Sequence, residues 1–244
     1  MNSKFKLKIA LASHNIVKAN RSTFFGAEDF DIWMPEYQQD DCKVICPPFV
    51  GNNYKKGGMI LVGINPGGGK FKSEVKTIND RKLYEKIHTF HQIDTLIEQY
   101  YWEEFIPTFL EIKPKLTIFS QHIKPILNCA NFSLNDVSYF NILPYRCRND
   151  KYPSAKKDLH IIHKSIKYFF NPLVNLLEPS MIVYLGKKAF EYIDYFDHSK
   201  QINNAIWDRE QAKTERREQS RNICATKIKN WKQSYLRNTH QPNY

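Results

Sequence analysis

Two asparagines stand where a folded chain can use them on a small ligand. Asn65 lies in Gly63-Ile64-Asn65-Pro66-Gly67-Gly68-Gly69, directly after the apolar run Met59-Ile60-Leu61-Val62. Asn141 lies in Val137-Ser138-Tyr139-Phe140-Asn141-Ile142-Leu143-Pro144, a second apolar run closed by a proline. A carboxamide carries a donor and an acceptor on one planar group, so it can read the polar edge of a pyrimidine or hold a water. It is a poor base. Chemistry built on such groups depends on positioning and on stabilising charge at a leaving group. Arg146, Arg148, Lys151, Lys156 and Lys157 follow the second run directly, and Lys187 and Lys188 follow Gly186. Such a cluster grips phosphates without reading sequence.

These residues need elements to hold them. Met59 to Val62 is short, apolar and rich in branched side chains, which predicts a buried strand. Gly63, Pro66 and glycines 67 to 69 stop it, leaving Asn65 at the strand's carboxyl end. In open α/β sheets that edge is where ligands bind. Val137 to Pro144 predicts a second strand containing Asn141, with Pro144 ending the ladder. Glu178 to Ala189 predicts a third strand running into a helix. Leu83, Ile87, Phe90, Ile93, Ile97, Tyr101, Phe105 and Phe109 recur at helical spacing between Asp80 and Ile112, and Pro107 is expected to divide them between two helices. Lys156 to Leu177 predicts a further helix with Leu159, Ile162, Ile166, Phe169 and Phe170 inward. Strands alternating with helices imply a parallel sheet covered on both faces. Residues 1 to 56 show no clean period and read as a loop-rich arm packed on the core. Asp208 to Lys232 reads as a charged helix, either solvated and laced with ion pairs or lying along DNA.

The chain of 244 residues, 42% hydrophobic, suits one domain with a substantial core. Its 36 basic against 25 acidic side chains leave a net charge of +11, which favours a polyanionic partner. No stretch reaches the roughly 18 apolar residues of a membrane span, and Met1 to Ala12 lacks the apolar core of a signal peptide. A cytoplasmic protein with no membrane partner is expected. Five cysteines fit a reducing compartment better than a disulfide framework.

Gly63-Ile64-Asn65-Pro66-Gly67 resembles the first motif of the uracil-DNA glycosylase superfamily, in the asparagine-centred form of its mismatch-specific and single-strand-selective branches. Val137 to Arg146 resembles that family's strand whose asparagine reads the flipped base. Glu178 to Ala189 resembles its framework segment of proline, apolar strand, glycine and alanine. The resemblance spans about residues 57 to 195. It implies an α/β three-layer sandwich with a central, mainly parallel sheet flanked by helices. The single domain 1–244 would comprise an arm (1–56), the motif-bearing core (57–195), and a basic helix with a C-terminal strand (196–244). It also implies a monofunctional DNA glycosylase acting as a monomer on DNA, without cofactor or catalytic metal.

The resemblance assigns roles residue by residue. Asn65 would position the attacking water, and Asn141 would bind the base and stabilise its developing charge. Gly63, Ile64, Pro66, Gly67 and Gly68 would line the base pocket, and Phe71 would stack on the base. The backbone amides of Ile64 and Gly67 to Gly69 form a candidate anion nest. Arg146, Arg148, Lys151, Lys156 and Lys187 would hold DNA phosphates. The family's closing His-Pro-Ser motif would be represented by His240, after a strand-like run from Ser234, although Gln241 intervenes before Pro242 and Asn243 stands in the serine's place. The open glycine turn argues against steric exclusion of a 5-substituent. A uracil-like or 5-substituted pyrimidine is therefore expected, in base-excision repair or in defence against phage with modified DNA. Two other readings remain: a catalytically inactive protein binding modified or single-stranded DNA, and a hydrolase acting on RNA or nucleotides. One branch of the family carries an iron–sulfur cluster, for which Cys42, Cys46, Cys129 and Cys147 are candidates. The partner expected after Cys147 is replaced by the region of Asp158, His160 and His163, so ordinary thiols are the expected reading.

Overall fold

The computed structural model describes residues 1–19, 45–64, 78–116, 118–144, 153–154, 158–194, 202–209 and 214–239. Its centre is a five-stranded sheet of β1 (Phe49–Val50), β2 (Met59–Gly63), β3 (Ser138–Asn141), β4 (Met181–Leu185) and β5 (Asn203–Trp207), in the order β1-β3-β2-β4-β5. All neighbours pair in parallel except β1, which runs antiparallel to β3 at the edge. Every residue of β2 and β4 is buried, as expected of apolar runs covered on both faces. The three strands expected from the motifs are all present.

Helices lie on both sides of this sheet. They are α1 (Ser3–Lys18), α2 (Ile78–Gln92), α3 (97–112), α4 (119–130), α5 (159–177), α6 (Lys187–Asp194) and α7 (Thr214–Thr239). Phe140 meets Phe170 of α5, and Tyr184 meets Phe190 of α6. Phe109 of α3 meets Tyr139, and Arg221 of α7 lies over Trp207. Side chains alternate along a strand, so these contacts assign α5 and α6 to one face and α3 and α7 to the other. The registers Gly63↔Asn141, Val62↔Tyr184 and Leu185↔Trp207 then align Asn141, Gly63, Leu185 and Trp207 in one row. That row crosses the carboxyl edge on the α3–α7 face.

Three expectations are corrected. The arm begins with a 16-residue helix, α1, whose first turn is capped by Asn2 accepting from Phe5 N–H at 2.9 Å. Its buried stripe is Ile9, Ala10, Ser13, His14, Ile16 and Val17. Ser13 and His14 hide the period from an apolar count, yet Ser13 bonds Ile9 O and His14 Nε2 bonds Ile93 O.

Pro107 does not divide the aromatic stripe. The break falls at residues 93 to 96, where Leu96 takes φ 54° in the left-handed region. Pro107, Pro125 and Pro172 each sit just past a π turn (Tyr101–Phe105, Phe119–Ile123 and Ile166–Phe170) inside a continuing helix. A proline ring crowds the carbonyl four residues back, and the wider turn gives it room.

The strand expected before His240 is absent, because Ser234 to Thr239 belong to the 26-residue α7. Cys224, Ile228, Trp231 and Tyr235 recur at helical spacing; the first three are buried, and Trp231 stacks on Tyr235. Trp231 Nε1 donates to Ser180 Oγ at 2.9 Å, and Phe132 packs edge-on against its ring. The charged helix is therefore part of the core on one side. Ile228 is fully buried. Ile228→Ala is expected to cost about 2–5 kcal/mol in a denaturant titration, whereas a merely solvated helix would lose almost nothing. Among the described residues no helix is long and apolar enough to cross a membrane.

Candidate functional site

Gly63 and Asn141 end adjacent parallel strands as Cα partners. The ladder runs on past both, with Ile142 N–H donating to Gly63 O at 2.9 Å and Leu143 N–H to Ile64 O at 2.7 Å. The two motif segments thus leave the sheet side by side. A Cβ on Gly63 would lie 2.3 Å from Asn141 Oδ1 and 3.7 Å from the Tyr139 hydroxyl. Gly63 is a glycine because the Asn141 carboxamide occupies the space of its side chain.

Asn141 Oδ1 is buried and accepts no hydrogen bond among the described residues. Burying an acceptor without a partner costs about 1–3 kcal/mol, so native proteins rarely keep one without a use. A ligand donor arriving over Gly63 would satisfy it.

No family model and no curated protein matches the chain. The site is therefore argued from its own chemistry. Of the residues expected to act here, the structure brings together Gly63, Ile64 and Asn141. Lys187 opens α6 beyond Gly186, with its ammonium 3.7 Å from Glu191 and its side chain 68% exposed. Asn65, Pro66, Gly67, Gly68, Phe71, Arg146, Arg148, Lys151, Lys156 and His240 lie outside the described residues.

Lys113 was not anticipated. It is buried, with Nζ 4.1 Å from the centre of the Tyr139 ring and 5.5 Å from that of Phe109. No carboxylate among the described residues forms an ion pair with it. Ring faces attract a cation, which holds this ammonium on the face that Asn141 shares. The only sequence signal was its place four residues after Phe109, where the aromatic stripe predicts a buried position.

Cys129 donates its thiol to Pro125 O at 3.1 Å and has Cys224 as its thiol neighbour. Burial pushes both thiols up, Cys224 to about 12, so both are held protonated rather than as metal-ligating thiolates. The Cys46 backbone N–H donates to Pro144 O. Cys42 and Cys147 lie outside the described residues. Among the described residues no three metal-binding side chains converge.

At the far end of the same row His122, from the π turn opening α4, faces α7. Its Nδ1 lies 3.3 Å from Arg221 Nη2. Arginine only donates, so Nδ1 accepts and the ring proton resides on Nε2. Burial first, then Arg209, Arg221 and Arg217, push the imidazole pKa down to about 4. The unfolded chain titrates near 6.5 and so binds this proton more readily between those values. Stability is therefore expected to fall as pH drops from about 6.5 to about 4, by roughly 1–2 kcal/mol after allowing for half-exposure of the ring. His122→Gln, compared with the parent in urea titrations at both ends of that window, should flatten this part of the pH profile. Parallel profiles would contradict the assignment.

Proposed function

We propose that the chain is a monofunctional DNA glycosylase on a uracil-DNA-glycosylase-like, three-layer α/β fold. It hydrolyses the N-glycosidic bond of a flipped uracil-like or 5-substituted pyrimidine and leaves an abasic site. The observation that carries this reading is the buried Asn141 Oδ1, unpartnered among the described residues, over the side-chain-less Gly63 at the carboxyl edge of the sheet. A pyrimidine edge supplies the donor that this oxygen lacks, and the Asn141 amide N–H can donate to a base oxygen in return. As the bond breaks, its electron pair passes to the base, and Asn141 stabilises the resulting charge. A water held by Asn65 adds to the sugar carbon, and its proton neutralises the departed base anion by way of solvent, leaving free base and an abasic site. The net charge of +11 supplies the sequence-independent hold on DNA.

The test is mass-spectrometric detection of free base from DNAs containing uracil, thymine mismatches, 5-hydroxymethylcytosine and its glucosylated form. Release that disappears in Asn65→Ala establishes the reaction and names the substrate class. The helix that occupies the place of the expected C-terminal strand favours a second reading, a protein that binds modified or single-stranded DNA without cleaving it. Silence across the panel with DNA binding intact would select that reading.

A further inference from the structure

The row that starts at Asn141 ends at Trp207, three strand spacings or about 14 Å away. Around Trp207 the chain gathers cations. Arg209 is the second residue after β5, Arg217 and Arg221 stand one turn apart on α7, and His122 faces them from α4. Arg221 is fixed by its Nε donating to Asp208 O at 3.1 Å, by His122, and by the Trp207 ring 5.0 Å below its guanidinium. Arg209 packs its Cδ against Gly186, 3.9 Å from where a Cβ would stand. Gly186 takes φ 107°, a conformation that leaves this side of the turn open and that other residues rarely adopt.

Among the described residues no carboxylate comes within ion-pair distance of Arg209, Arg217 or Arg221. The Asp208 and Glu218 carboxylates attract Arg221 from beyond ion-pair distance, against repulsion from Arg217. Two buried donors, Arg217 Nε and Trp207 Nε1, have no acceptor. The His122 tautomer adds a third donor, Nε2–H. Like charges gathered in partial burial repel strongly, and orphaned buried donors add to that cost. The unpartnered buried groups among the described residues here are both donors and their neighbours are cations, so the missing partner is an oxyanion with several acceptor oxygens.

We propose that Arg209, Arg217, Arg221, His122 and the Trp207 indole N–H form a phosphoryl-binding subsite at the carboxyl ends of β4 and β5. Planar guanidinium groups that all act on one imidazole, beside an indole N–H, suit a tetrahedral, multiply charged oxyanion. The net charge of +11 favours a phosphodiester of a polynucleotide as the source. The distance to Asn141 is about four phosphate-to-phosphate steps of axial rise along a B-form strand. The inference goes beyond the base-release reading and does not depend on it.

The experiment titrates the full chain with inorganic phosphate and, separately, with a short single-stranded oligothymidylate. It follows the His122 imidazole and Trp207 indole N–H resonances. Phosphate is expected to shift both signals and to raise the pH at which His122 titrates, because a bound anion favours the imidazolium. Arg209→Gln with Arg217→Gln should abolish that response, and Arg217→Lys, which keeps the charge, should retain part of it. Among the described residues the Arg209 and Arg217 side chains make no hydrogen bond or ion pair, so the variants are expected to fold. A response to both probes, with oligothymidylate affinity falling about tenfold in the double variant and the salt dependence shallower by about 1–2 counterions, identifies a nucleic-acid backbone. A response to phosphate alone identifies a small phosphorylated ligand. No response to either probe, or an unchanged response in the double variant, overturns the subsite. Asn141→Ala should leave these shifts intact, so failure here and failure of base release are separable.

Discussion

Asn141→Ala is expected to lower base release by about 10²–10³-fold while leaving the melting temperature unchanged or raised. The loss follows from removing a preorganised donor and acceptor at the point where negative charge develops. The stability forecast follows from the unliganded state, in which Oδ1 is buried without a partner. Removing an unsatisfied buried acceptor removes its desolvation penalty, about 1–3 kcal/mol, and the cavity left by a truncated amide offsets part of that gain. A structural asparagine would behave oppositely, losing stability with its hydrogen bond. Asn141→Asp sharpens the test. It preserves shape and an acceptor but loses the amide donor and adds charge of the same sign as the departing base, so release should fall at least as far as in the alanine variant. Single-turnover release assays on the preferred substrate, paired with thermal melts, give both readouts. Normal release by Asn141→Ala would remove this residue from the site.

The parts of this fold that were legible in the sequence are those where one physical rule acts alone. Met59 to Gly63 and Met181 to Leu185 are apolar throughout because both faces are covered, and both are strands. The misreadings arose where two rules compete. α1 buries Ser13 and His14, whose polar groups are satisfied by Ile9 O and Ile93 O, so its stripe is invisible to a count of apolar residues. Pro107 carries the ordinary signal for a helix break, but the π turn before it lets the helix continue. The tail from Ser234 reads as a strand until Tyr235 is placed four residues after Trp231, where it stacks on that ring. At the site, Gly63 and Asn141 were legible through their motifs, while Lys113 and the Arg221–His122 contact were not. Those partners come from segments 99 residues apart in the latter case, and no local pattern records such a meeting.

Gly63→Ala should reproduce most of the functional loss of Asn141→Ala while leaving Asn141 in the chain. The added Cβ would stand 2.3 Å from Asn141 Oδ1, a separation no methyl group and oxygen can hold, whereas Tyr139 at 3.7 Å is in ordinary contact. The obstructing atom is the tip of a side chain with rotatable bonds, so the carboxamide swings aside at a cost of about 1–3 kcal/mol and loses its aim at the base. Base release is expected to drop about 10²-fold, with a modest fall in melting temperature. The double variant Gly63→Ala with Asn141→Ala decides the cause. If the glycine serves to seat the amide, the second substitution adds little further loss of release, and it restores much of the lost stability because the clash has gone. Losses that multiply in release and add in stability would mean that Gly63 acts through the backbone instead. In that case the turn that starts at Ile64, rather than the seat of Asn141, would set the geometry of this edge.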